Sequence, residues 1–265
     1  MRSWSSLLLL ALVACTGDVD PIETGDPDTG DSIGPGTEGD TSATLAGKVM
    51  GPDGDLPGAN IRFCRGAECR YATTDGQGAF AFDEALVAWH SLEIVPPDGS
   101  GLATWFAPIR LDKDQDRVID VTIPALDAAH ELPATAAELE LGQGLFVTVG
   151  KDDLEPPLFV DPATHAAGVR VEQATWPPLD EIDSEKVVAV WYTVPFDHHA
   201  KSDAGLPLRV QDQWSLDEGA ELSVWVGSYG ESAWLPAGSL TVGADGWLTG
   251  EAALPHLSTV VLVAD

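Results

Sequence analysis

Apolar and polar positions alternate in short runs along most of this chain, and Gly, Pro and Asp punctuate them. From residue 43 the runs are ATLAGKVM (43–50), ANIRFC (59–64), CRYATT (69–74), AFAF (79–82), SLEIVP (91–96), LATWFAPI (102–109) and VIDVTI (118–123). Alternation puts successive side chains on opposite faces of a strand, so each run can turn one face to a core and the other to water. Turn chemistry separates them at Gly51-Pro52-Asp53-Gly54, Asp75-Gly76-Gln77-Gly78 and Pro96-Pro97-Asp98-Gly99. About seven strands at this spacing predict a small β-sandwich over residues 43–124.

Residues 125–142 read as a junction, where 133–140 suits either a short helix or a strand entrance. Strand patterns resume as LFVTVG (145–150), GVRVEQ (168–173), KVVAVWYTV (186–194), LPLRVQ (206–211), AELSVWVG (220–227), SLTVG (239–243) and LSTVVLVA (257–264). The link over 151–167 is irregular and Pro-rich. Residues 143–265 are expected to form a second β-sandwich, which makes the chain all-β with two consecutive β-sandwich domains.

The N-terminus follows neither period. Arg2 precedes LLLLALVA (7–14), an apolar run that as a helix rises about 12 Å against a hydrocarbon core of about 30 Å. It is too short to span and reads as a secretory signal, residues 1–14. Leu12-Val13-Ala14-Cys15 resembles the lipobox of bacterial lipoproteins. That resemblance implies cleavage before Cys15, a diacylglycerol on its thiol and an acylated amine, hence a membrane as partner. More than one acyl chain is what makes such anchoring durable. Thr16 and Gly17 follow, without the Asp that retains some lipoproteins at the inner membrane. The resemblance therefore implies the bacterial cell envelope, at the outer membrane or cell surface. Residues 16–42 are rich in Asp, Glu and Gly and hold no Lys, Arg or aromatic residue, so with Cys15 they read as a disordered acidic tether. A flexible coil of that length spans roughly 30 Å root-mean-square.

A second resemblance lies in the first sandwich. Gly47-x-Val49, Gly54-x-Leu56-Pro57-Gly58-Ala59-x-Ile61 and Thr73-Thr74-Asp75-x-x-Gly78-x-Phe80-x-Phe82 resemble the carboxypeptidase regulatory-like family. The resemblance covers roughly residues 43–124 and implies a transthyretin-like sandwich that accompanies enzymes without catalysing. After Phe82 the chain departs from that pattern, with Ala88-Trp89-His90-Ser91 where the family has Gly before an aromatic strand. More faintly, Trp234…Gly238-x-x-x-Val242-x-x-Asp245-Gly246 and Leu257-Ser258 resemble end-of-chain modules of bacterial surface proteins.

Charge narrows the possible partners. The 265 residues carry 13 basic and 43 acidic side chains, a formal charge of −30. Such a surface repels phosphate backbones and anionic headgroups, which excludes nucleic acid as a main partner. Of three cysteines, Cys64 and Cys69 flank a four-residue hairpin loop and are expected to form a disulfide in an oxidising compartment. A C-x₄-C metal site is the rival reading, with no second ligand pair nearby.

Several constellations suggest chemistry. His256-Leu257-Ser258 resembles the self-cleavage site of autoproteolytic modules, with Ser258 as nucleophile, His256 as base and the cut after Leu257. A strand entering the sandwich is the plainer reading. Asp112, Asp114 and Asp116 open like a calcium loop, but Arg117 and Ile123 stand where an EF-hand needs Gly and Glu. No cofactor is expected: a solvated turn is the plainer reading of this pattern, and calcium the alternative. His198 and His199, beside Asp197 and Asp203, suggest a metal, yet neighbours on a strand point to opposite faces. His90, His130 and His165 are scattered. Of the tryptophans, Trp191 and Trp225 sit inside strand patterns and read as core, while Trp214, Trp234 and Trp247 lie near turns and read as surface; Trp176 also falls in this half. Exposed indoles can stack on sugars. The expectation is a non-enzymatic, lipid-anchored envelope protein that presents its sandwiches for adhesion or for an unknown protein or glycan partner. A glycan-binding module and a self-processing module are the alternatives.

Overall fold

A computed structural model describes Asp40 and residues 42–265. The expected signal segment, Cys15 and the tether through residue 39 lie outside the described residues, as does Thr41. Among the described residues there is no α-helix; strands carry the fold.

Eight strands build the first half: β1 (Ala43–Gly51), β2 (Gly54–Asp55), β3 (Asn60–Arg65), β4 (Glu68–Thr73), β5 (Ala79–Ala85), β6 (Trp89–Val95), β7 (Trp105–Arg110) and β8 (Asp116–Thr122). They form two four-stranded sheets. In one, β5 and the short β2 run antiparallel along one side of β1, and β8 runs parallel along the other. The second has the order β4-β3-β6-β7, antiparallel throughout. The alternate residues Leu45, Val49, Phe80, Phe82 and Val121 of the first sheet meet Ile61, Phe63, Leu92 and Ile94 of the second in one core. Two glycines of this first half are needed there. A Cβ on Gly47 would lie 2.0 Å from the Ile119 carbonyl oxygen, and Gly78 takes φ +76° with Val49 O 2.3 Å from its would-be Cβ.

The second half contains β9 (His130–Glu131), β10 (Ala137–Glu140), β11 (Leu145–Val149), β12 (Leu154–Glu155), β13 (His165–Val171), β14 (Val187–Val194), β15 (His199–Ala200) and β16 (Leu206–Gln211). It continues with β17 (Glu221–Ser228), β18 (Ala233–Val242), β19 (Trp247–Gly250), β20 (Ala253–Leu254) and β21 (Thr259–Ala264). Residues 133–140 thus resolve as a strand entrance and not a helix, because Glu138, Leu139 and Glu140 pair in register with Thr148, Val147 and Phe146. An 11-stranded sheet of order β10-β11-β16-β19-β18-β17-β21-β14-β13-β9, with β20 on β16, folds over on itself. Leu145, Val147 and Leu208 from one end share a core with Trp191, Leu222, Val224, Val260 and Leu262 from the other. The short strands β12 and β15 make a separate ribbon across the 151–167 link.

The two sandwiches pack as one compact unit. Alternation along β14 and β21 shows how. Ala189, Trp191, Val260 and Leu262 enter the second core, whereas Val190, Tyr192, Val261 and Val263 join the first. Both faces of these strands are therefore buried, and this is why VVAVWYTV and TVVLVA read as near-continuous apolar runs. Polar contacts tie the seam. Thr259 Oγ1 donates to the Phe106 carbonyl at 2.7 Å, and Ser91 Oγ donates to the Tyr229 carbonyl at 2.7 Å. Arg117 grips both Asp180 oxygens, at 2.6 and 3.0 Å. The Phe106 ring approaches β17 where Gly227 leaves room; a Cβ there would sit 2.8 Å from it.

Candidate functional site

Trp176 and Trp214, from separate segments, line one groove. Trp176 follows a 3-10 turn, Gln173–Thr175, and its indole N–H donates to the Val171 carbonyl at 3.2 Å. Trp214 stands in the loop after β16. There the Asp212 carboxylate accepts the backbone N–H groups of Trp214 and Leu216 at 2.9 and 3.0 Å, a local turn that sets the direction of the indole. Behind it the buried Trp191 meets Trp214 edge to face, centroids 6.2 Å apart. Arg170 lies 5.5 Å over the Trp214 ring and donates to Gln213 Oε1.

These indoles, with Arg170, Glu172, Gln173 and Gln143, line an open groove of about 430 Å³. Gln143 is exposed at the tip of a turn whose flanking Gly142 and Gly144 have φ of +85° and +86°. A Cβ on Gly142 would lie 2.8 Å from the Val169 nitrogen, so only glycine lets this tip approach β13. The result is two half-buried aromatic faces rimmed by amide, carboxylate and guanidinium groups. Flat apolar faces suit the C–H side of a pyranose ring, and the planar polar groups can donate to or accept from its hydroxyls in pairs.

The other tryptophans divide between core and surface. Trp191 is fully buried and Trp225 half-buried against the core, in line with their strand positions. Trp234, read as a surface residue, is buried at 6% exposure; its ring packs over the space that Gly227 leaves open. Trp247 is half-buried beneath Arg209, 3.8 Å above its ring, with Phe146 at 5.1 Å. Glu138 holds that guanidinium through contacts of 2.6 Å at both oxygens, so the face of Trp247 is covered at 3.8 Å, more closely than Arg170 covers Trp214 at 5.5 Å.

His256 and Ser258 are both buried at the seam. His256 Nε2 lies 2.9 Å from the Gly227 carbonyl, and burial pulls its pKa below the ordinary imidazole value. The Ser258 hydroxyl makes no hydrogen bond among the described residues, and its carbonyl accepts from Thr193 Oγ1 at 2.8 Å. No hydrogen bond joins His256 to Ser258 among the described residues. The fold does bring together two constellations that lie far apart in sequence. His199 and His256 pair across a β-bridge with their rings 5.2 Å apart, and His199 Nε2 lies 3.4 Å from Asp197. His198, just before β15, is buried, with Nδ1 3.2 Å from the Phe196 carbonyl, and Asp203 is exposed.

Asp112, Asp114 and Asp116 occupy the β7–β8 turn. Asp112 accepts from Arg110 Nε at 3.1 Å and Asp116 from Thr44 Oγ1 at 2.7 Å, while Asp114 takes φ +55° with its N–H on Ser42. The Asp112 and Asp116 carboxylates are engaged by these donors, and no group of three or more metal-ligating side chains occurs among the described residues. Cys64 and Cys69 are joined as a disulfide, directly opposite each other in the β3–β4 hairpin.

No family model matches the chain, and no curated protein matches it. Among solved structures, it is similar to a Bacteroides uniformis protein provisionally described as carbohydrate-binding, at 8% identity and a TM-score of 0.26, covering 84% of this chain and 79% of that one. It is also similar to the Bacillus anthracis TIE protein, at 8% identity and a TM-score of 0.28, over 84% of this chain and 48% of that one.

Proposed function

We propose that this protein is a non-enzymatic binding protein of the bacterial envelope, anchored through lipid on Cys15, that holds a saccharide in the groove between Trp176 and Trp214. One observation carries the reading: two half-buried indoles from different segments line the same groove with Gln143, Glu172, Gln173 and Arg170 at its rim. Adhesion to a polysaccharide-bearing surface is the function such a groove serves on a tethered sandwich. Membrane attachment rests on the 7–15 segment, LLLLALVAC. Neither sandwich needs to perform catalysis in this role.

Screening the purified protein against an array of polysaccharides, with indole fluorescence as a second readout, tests the proposal. Binding that falls at least about tenfold in both Trp176→Ala and Trp214→Ala is expected, since stacking contacts are worth one to a few kcal/mol. Silence across the array, or binding indifferent to both substitutions, overturns it. For the anchor, Cys15→Ala is expected to abolish fatty-acid labelling in cells, and persistent labelling overturns that part.

A further inference from the structure

A second cavity, of about 440 Å³, opens at the seam between the sandwiches, away from the tryptophan groove. Its walls include Glu93 on β6, Arg62 on β3, Phe196 and Asp197 after β14, Tyr229 after β17, and Phe159. Phe159 belongs to an exposed apolar triplet, Leu158-Phe159-Val160, in which Phe159 itself is fully exposed and takes φ +66°. The rings form a continuous wall. Phe196 and Tyr229 meet at 83° with centroids 6.2 Å apart, and Phe106 backs both at 5.3 and 6.1 Å. Because the Tyr229 hydroxyl is taken by the Cys64 sulfur at 2.8 Å, what this residue offers the cavity is its ring.

The charge in this cavity is unbalanced. Among the lining residues, Glu93 is 3% exposed and Asp197 is largely buried, against one guanidinium, Arg62, whose Nη1 reaches Glu93 at 3.1 and 3.4 Å; behind the lining, the His199 imidazole stands with Nε2 3.4 Å from Asp197. Burial raises the pKa of both carboxyls, against the opposing pull of Arg62 on Glu93 and of His199 on Asp197, and burial with the nearby Glu93 pushes Tyr229 up to about 12. Glycan hydroxyls would leave that excess uncompensated. A cation with apolar substituents would meet both features, since ring faces attract positive charge and carboxylates in a poorly solvated site do so more strongly.

We propose that the seam cavity is a binding site for an organic ammonium ion, with its methyl or methylene groups against Phe196, Tyr229 and Phe159 and its charge toward Asp197 and Glu93. The proposal is independent of the saccharide reading. Quaternary headgroups and lysine side chains share this chemistry, and the choice of probes separates them.

Calorimetric titration of the purified protein, at constant ionic strength, uses choline, Nα-acetyl-lysine amide and 3,3-dimethylbutanol, the uncharged isostere of choline. At least one charged probe should bind, and the neutral isostere should bind at least about tenfold more weakly. The stronger of the two charged probes identifies the source. Asp197→Asn should weaken the charged probe by about tenfold or more, with the isostere unaffected. Phe159→Ser, at a fully exposed position, should weaken it by several fold. Absence of binding by both charged probes, equal binding of the isostere, or wild-type affinity in both variants would overturn the proposal.

Discussion

The phenolic oxygen of Tyr229 lies 2.8 Å from the sulfur of Cys64, so the disulfide hairpin of the first sandwich abuts a loop of the second. Closing a loop of five residues' separation contributes about 2 kcal/mol by chain entropy. Cys64→Ala/Cys69→Ala should therefore lower unfolding free energy by about 2 kcal/mol or somewhat more, the excess being lost contact with Tyr229. Urea titration of this variant against the oxidised wild type measures it. A loss below about 0.5 kcal/mol would contradict the role assigned to the bridge.

Arg62 is half exposed, but the Glu93 side chain it serves is 4% exposed. Arg62→Leu leaves that carboxyl without its cation and should destabilise by about 1–3 kcal/mol at pH 7.5. The sign follows from the raised pKa of Glu93, caused first by burial. A raised carboxyl binds its proton more readily in the folded than in the unfolded chain. Stability thus falls as pH climbs from the ordinary value of 4.5 through the raised one. Near pH 4 the carboxyl is mostly neutral in both states, and the variant should approach wild type. Equal penalties at pH 4 and pH 7.5 would count against an electrostatic origin.

His90 stacks on Phe63 at 4.2 Å, and its Nε2 lies 2.8 Å from the Leu86 carbonyl. Burial lowers its pKa from 6.5, as it does for His256. The unfolded chain therefore takes up these protons first. Their contribution is fully present above pH 6.5 and is lost as pH falls from there toward the depressed native values. Glu93 and Asp197 oppose this trend over part of the same range, so the histidine contribution is read as a difference. His90→Gln should show a shallower loss of stability than wild type between pH 7 and 5.5, by thermal melts in matched buffers. Parallel curves would exclude the histidine.

Gly47 is crowded by backbone, whereas Gly76 has nothing within 4 Å of its would-be Cβ. Gly47→Ala should cost about 1–3 kcal/mol by forcing β1 away from β8, and Gly76→Ala should stay within about 0.5 kcal/mol of wild type. Differential scanning calorimetry of both would show a drop in Tm for the first alone.

The one-sided strands were legible from the sequence because half-buried strands must alternate. Phe80 and Phe82 point inward while Ala81 and Asp83 face solvent. Strands β14 and β21 lose that signal because both faces are covered, and a continuous apolar run does not say by what. Glu93 illustrates the converse: a charged residue at an outward position of β6 reads as solvated until a second sandwich covers it. Trp234 misled for a similar reason, since closeness to a turn says nothing about a glycine across the pair that admits its ring. The groove was half visible. Trp214 stood out near a turn, but Trp176, Arg170 and Gln143 reach it only through strand pairings distant in sequence. Among these, the Gly142-Gln143-Gly144 tip was a local sign of a displayed side chain.

Strand β21 lies between β14 and β17, in the middle of its sheet, yet it is the most C-terminal strand described. During synthesis, β14 and β17 emerge without the neighbour that joins them, and the first sandwich emerges without the surface that covers Phe106. The second core cannot be assembled in the order in which it is made. Late, long-range closure of this kind favours slow folding and prolonged exposure of apolar strand edges. The nascent protein would thus stay extensible, and in need of protection, until β21 arrives.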